Sequence, residues 1–223
     1  MSKDALDASL GYGAGMDGGQ SRSGRATIDP GEWSASFPEP GRVSPPTGPL
    51  QPQPAVSAPE LCLPVRSGPM TPVLWVVGAH GGSGESALAA LDRRWHPAGH
   101  VWPAHQAPCV LVARTHLRGV LAAQAALTQW AAAAAGGAQL LGLVLVADAP
   151  GRQPAPLRDF AAVVGGGAPR VWEIPWIEEW RFLDPAAPAS SPASPAAASL
   201  PRRLRKLVSE LRSLAPVKAG ELG

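Results

Sequence analysis

Lysine, tyrosine and cysteine are nearly missing from this chain. Of 223 residues, three are Lys, one is Tyr and two are Cys, namely Cys62 and Cys109. Two cysteines cannot staple a disulfide scaffold. Charge is thin too: 16% of residues are charged and 5% are aromatic. A net charge of +2 is no nucleic-acid footprint, so direct contact with nucleic acid is not expected. The opening MSKDALDASLGYGAG lacks the cationic start and apolar run of a signal peptide, which makes a cytoplasmic protein the expectation. Glycine has no three-residue period, which excludes a collagen.

What abounds is backbone punctuation. There are 26 Pro and 25 Gly, nearly twice ordinary usage, beside 45% hydrophobic residues. That is too much Pro and Gly for a uniform fold, and too apolar for a chain without a core. A mosaic follows. Residues 1–69 hold 11 Pro and 10 Gly without sustained apolar periodicity, so a disordered arm is expected there. Its segment PEPGRVSPPTGPLQPQP (38–54) has a polyproline bias.

Order is expected over 70–183. PVLWVV (72–77), CVLVAR (109–114), LLGLVLVAD (140–148) and RVWEIPW (170–176) are short apolar runs bounded by turn residues, and are predicted strands. SALAALDRRW (86–95), residues 117–135 and 154–167 are predicted helices, the last two stopped by glycines. IEEWRFL (177–183) makes a short helical exit. Apolar strands alternating with helices give an α/β fold: a small parallel sheet of about four strands flanked by helices. From Gln129 to Ala147 there is no formal charge for 19 residues, near the length of a membrane span. The paired Gly136 and Gly137 inside it favour a helix end followed by a buried strand.

Residues 184–199 form a Pro/Ala/Ser linker. LPRRLRKLVSELRSL (200–214) then places its leucines on one face and Arg202, Arg203, Arg205, Lys206 and Arg212 on the remainder, making a basic amphipathic helix. Three readings of it stand open: packing back on the domain, contact with a protein partner, or contact with an anionic membrane surface.

The most informative stretch is Gly78-Ala79-His80-Gly81-Gly82-Ser83-Gly84-Glu85-Ser86. A strand, a glycine loop and a helix start form the arrangement of a phosphate-binding loop, whose usual pattern is G-x-x-x-x-G-K-[ST]. Gly78 and Gly84 have its spacing and Ser86 has its hydroxyl, but Glu85 stands where the lysine should be. Residues 80–86 resemble the K-G-G-x-G-K-[ST] loop of the MinD/ParA class of P-loop ATPases. Every glycine and the hydroxyl match; His80 and Glu85 replace the two lysines. CVLVARTHLRGVLAAQAAL and LLGLVLVADAP with VWEIPW look like later strands and helices of that class. The chain also resembles degenerate P-loop proteins of high-GC bacteria found near conjugation or partition genes.

The resemblance implies a P-loop fold, a cofactor-binding set of Gly78, His80, Gly81, Gly82, Ser83, Gly84, Glu85 and Ser86, and a base-recognition position at Asp148. ATP or another nucleotide is the cofactor it implies, though the residues fix none. The departures set the chemistry. A carboxylate roughly 4 Å from a phosphate repels it by several kcal/mol at an effective dielectric near 20. No acid lies between His96 and Cys109 to hold Mg²⁺. The expectation is a degenerate P-loop protein without ATPase activity, acting as a regulatory or adaptor module in a process such as DNA partition or conjugation. The alternatives are an ATPase with an atypical loop and a membrane-surface protein.

The other candidates carry less. His96, His100, His105 and Cys109 match no zinc spacing. Ser83, His80 and Asp148 lack a nucleophile-elbow pattern. Trp172, Trp176 and Trp180 fall four apart and are read either as core or, with the 200–214 helix, as a protein-interaction patch.

Overall fold

The computed structural model describes residues 43–53, 55–67, 73–187 and 200–215. Residues 1–42 of the expected arm and 188–199 of the expected linker lie outside the described residues. The elements run β1 (Val65–Arg66), β2 (Leu74–Gly78), α1 (Glu85–Ala89), β3 (Trp95–Gly99), β4 (Trp102–Pro103), β5 (Pro108–Arg114), α2 (Leu117–Ala131), β6 (Gln139–Val146), α3 (Ala155–Gly165), β7 (Val171–Ile174) and α4 (Arg202–Leu214). A 3₁₀ turn over Glu178–Arg181 precedes α4. The uncharged 129–147 run resolves into the end of α2, a turn and β6. Among the described residues, no helix is long and apolar enough to cross a membrane.

The fold is α/β. Five strands form one parallel sheet in the order β3-β2-β5-β6-β7, and β1 pairs with β4 in a separate two-stranded parallel ladder. The expected sheet of about four strands lacked β3. The predicted helix 86–95 ends at Ala89, because the chain turns through bonds from Leu91 N–H to Leu88 O, Asp92 N–H to Ala89 O and Trp95 N–H to Asp92 O. The Asp92 carboxylate accepts from the Arg94 N–H and guanidinium, a local side-chain bond that competes with helix continuation. β3 then tolerates Pro97 because it lies at the sheet edge.

The alternation of buried side chains makes two cores. Leu74, Val76, Val110, Val112, Val144, Val146, Trp172 and Ile174 face one side, covered by Leu88, Ala89 and Leu91 and by Leu204, Leu207, Val208 and Leu211 of α4. Val77, Cys109, Leu111, Ala113, Leu143 and Leu145 face the other, covered by α2 and α3. α1 has only five residues and cannot cover the first face alone. The leucine stripe of α4 supplies the missing cover, which is the first of its three readings; α4 belongs to the core rather than to a separate tethered unit.

Buried charges lock α4 in place. Glu210, 2% exposed, accepts from Trp172 Nε1 (2.8 Å) and Ser44 Oγ (2.8 Å), with Lys206 Nζ at 3.5 Å. Asp92, 6% exposed, accepts from Arg212 Nε at 2.8 Å and from Arg94. Burial opposes the Asp92 charge, but the Arg94 hydrogen bonds and the Arg212 charge outweigh it and hold the carboxyl below its usual range.

The disordered arm expected over 1–69 needs correction where it is described. Thr47 N–H donates to Pro169 O, Gln53 N–H to Ala131 O and Trp102 N–H to Pro64 O. The buried Gln129 amide accepts from Leu63 N–H and Trp102 Nε1 and donates to Leu63 O. A proline-rich chain without local periodicity still gains order when its backbone groups find fixed partners on the domain. The tryptophan trio also divides. Trp172 is core, Trp180 packs at its margin, and Trp176 is half-buried and donates to Glu178. Two stability predictions follow by denaturant unfolding. Leu207→Ala costs about 2–5 kcal/mol, whereas Arg205→Ala stays within about 0.5 kcal/mol. Gln129→Leu costs about 1–3 kcal/mol by leaving Trp102 Nε1 and the Leu63 backbone unpaired.

Candidate functional site

Counted along the chain, the five main strands run 2-1-3-4-5 across the sheet, so consecutive connections switch faces between β2 and β5. α1 leaves β2 toward one face and α2 leaves β5 toward the other. Such a switch opens a crevice at the C-terminal strand ends, the common ligand position in open α/β sheets. The glycine loop after β2 and the Arg114-Thr115-His116 segment at the end of β5 meet there.

Gly82 (φ 74°) and Gly84 (φ 99°) take left-handed backbone that glycine adopts freely. Gly81 and Gly82 face open space, whereas a Cβ on Gly78 would come within 2.7 Å of Ser83 Oγ and 2.9 Å of His100 Nδ1. His100 Nδ1 lies 3.0 Å from Gly78 O. Glycine at 78 therefore lets the loop fold back over the strand end.

The loop bonds to itself and to its neighbours. Ser83 is fully buried and its hydroxyl donates to Glu85 Oε2 at 2.6 Å. Arg114 Nε donates to Gly82 O at 3.2 Å and its Nη1 to Ala147 O at 2.9 Å, while its N–H donates to His80 Nε2 at 3.1 Å. An accepting Nε2 leaves the His80 proton on Nδ1, which donates to Gly81 O at 2.9 Å. His116 caps α2 by accepting from Gly119 N–H, and its ring lies 5.1 Å from that of His80. Burial pulls the Arg114 guanidinium below its ordinary value, against the Asp148 carboxylate, and it stays charged.

Of the expected site residues, the structure gathers Gly78, His80, Gly81, Gly82, Ser83, Gly84, Glu85 and Ser86 in one loop and helix start. Asp148 is exposed just past the end of β6, with its N–H on Thr115 Oγ1 and its carboxylate acting on the Arg114 that holds the loop. Ser83 pairs with Glu85 and His80 with Gly81, so they form no nucleophile and base. The residues that sequence reasoning missed are Arg114 as a loop clamp and His116 as its neighbour. The signal was present in ARTH, a cation at a strand end followed by a helix-cap residue.

The four zinc candidates scatter. His96 is exposed on β3, His105 bonds Ser67, and Cys109 is buried in β5, where burial pushes its thiol pKa up. Among the described residues, no three His, Cys, Asp or Glu gather to hold a metal. Beside the loop, an open crevice of about 910 Å³ lies over the ends of β6 and β7, lined among others by Thr115, His116, Asp148, Gln153, Trp176 and Arg203.

Fold and site thus define a doubly wound α/β protein with a glycine loop at its switch point. The chain belongs to a family of unknown function (DUF6668), whose pattern matches residues 72–198. No curated protein and no solved structure matches it.

The His80 ring yields a pH prediction. Burial lowers its pKa, against the Gly81 hydrogen bond and with help from His116 and His100, while Glu85 acts to raise it. The unfolded chain therefore binds the proton more readily. Stability is full above the ordinary histidine value near 6.5 and declines as pH falls through it. Thermal unfolding between about pH 7 and 5 shows that slope, and His80→Gln flattens it.

Proposed function

We propose that this chain is a degenerate P-loop-like module, without ATPase chemistry, that serves as a regulatory or adaptor protein. The observation that carries the reading is the Ser83–Glu85 hydrogen bond at 2.6 Å. It places a carboxylate inside the glycine loop and uses a hydroxyl of that loop to hold it. Phosphoryl transfer runs on positive charge around the phosphates. Here the nearest cation, Arg114, is engaged by the Gly82 and Ala147 carbonyls instead. The loop becomes a structural joint between β2, β5 and β6.

An adaptor acts through its surface. The basic outer face of α4 and the exposed side of Trp176 supply contacts for a protein partner or an anionic membrane surface. A setting in partition or conjugation rests on the resemblance of the loop to the MinD/ParA class. Calorimetric titration of the full chain with ATP and Mg²⁺ tests the loss of chemistry. The expected result is no saturable heat into the millimolar range and no phosphate release. Micromolar binding with turnover that Glu85→Ala abolishes would contradict it.

A further inference from the structure

α4 carries an unbalanced patch of charge. Arg202, Arg203, Arg205 and Lys206 are all exposed within its first two turns, and no acidic residue lies in the first turn. Lys206 meets the buried Glu210 at 3.5 Å, and Arg203 meets Glu173 at 3.6 Å, where both side chains are about two-thirds exposed. Such an exposed pair contributes little. Among the described residues, Arg202 and Arg205 have no ion-pair partner. Four clustered cations at the positive end of a helix repel one another and the helix dipole, and an anionic neighbour relieves both.

An earlier part of the chain meets this face at Ser44. Ser44 and Lys206 share the same Glu210 oxygen, Oε1, at 2.8 and 3.5 Å. Arg170 Nε holds Ser44 O at 3.1 Å. A cavity of about 390 Å³ opens between Ser44, Pro45, Arg170, Arg203 and Lys206. The described chain therefore begins on the basic face itself. Upstream, between Arg25 and Arg42, every charged residue is acidic: Asp29, Glu32 and Glu39. Trp33 and Phe37 lie among them.

We propose that the acidic, aromatic segment Asp29–Glu39 of this chain docks on the outer face of α4 formed by Arg202, Arg203, Arg205 and Lys206. Reach is sufficient. Glu39 precedes Ser44 by five residues, about 17 Å of extended chain, whereas Arg202 to Lys206 rises about 6 Å along the helix. The three carboxylates pair with the arginines and the lysine, and Trp33 and Phe37 give the guanidinium groups aromatic faces to stack on. The docked segment occupies the face that a partner would use, so an acidic partner competes with it. The proposal goes beyond the adaptor reading and stands without it.

Lysine scarcity makes the test clean. Lys206 is the one lysine among the described residues. A zero-length carbodiimide reagent joins a carboxylate to an adjacent amine as an amide, and mass spectrometry of the full chain maps the product. The expected product is a monomer in which Lys206 is coupled to Asp29, Glu32 or Glu39, and the yield falls in about 1 M salt, where the screening length is roughly 3 Å. Coupling of Lys206 to Glu210 alone, or to the acidic segment only across two chains, overturns the proposal. As a second readout, the combined substitution Asp29→Asn, Glu32→Gln and Glu39→Gln shifts the backbone amide resonances of residues 202–206. Unchanged resonances there also overturn it.

Discussion

The Arg114 guanidinium donates to the carbonyls of Gly82 and Ala147, and its own N–H is received by His80. One residue at the end of β5 thereby ties the loop after β2 to the end of β6. Three features of the loop and its surroundings are arranged around that tie. Gly82 takes positive φ and turns its carbonyl to the cation. His80 must stay neutral to accept the Arg114 N–H, which burial favours. Gly119 leaves room for it, because a Cβ there would come within 2.9 Å of His80 Nε2. In a phosphate cradle a cation at this position would face the ligand. Here its Nε and Nη1 each donate to a backbone carbonyl, and the Glu85 carboxylate is held by the Ser83 hydroxyl.

A second constraint shapes the rest of the molecule. A parallel sheet must be covered on both faces. α2 and α3 cover one, but the connection after β2 yields a helix of only five residues. The far end of the chain returns to finish the job through Leu204, Leu207, Val208 and Leu211, anchored by Glu210 on Trp172 and by Arg212 on Asp92. That packing turns the cationic half of α4 outward, and the unbalanced basic face is a consequence of closing the core.

Much of the fold was legible because apolar runs of strand length, Ala-rich periodicity and glycine stops are local signals. β5, α2, β6, α3 and β7 follow from them. β3 did not, because Trp95-His96-Pro97-Ala98-Gly99 has no apolar run and owes its pairing to the neighbouring β2. The fixed partners of the arm's described part were hidden for the same reason: Gln129, 66 residues away, holds Leu63. Of the site, the glycine loop was visible in GAHGGSGES, since its spacing reports backbone conformation directly. The Arg114 clamp was only half visible: ARTH shows a cation at a strand end, but what Arg114 holds is backbone oxygen, and carbonyls leave no trace in residue type.

The glycine loop is closed by its own side chains and by Arg114. The most direct measurement follows the backbone amide resonances of Gly81 to Ser86 while inorganic triphosphate with Mg²⁺ is added, which isolates phosphate binding from base recognition. A closed loop predicts that these amides hold their positions up to millimolar ligand. Saturable shifts of Gly82, Gly84 and Glu85 would show a working phosphate cradle and contradict the account.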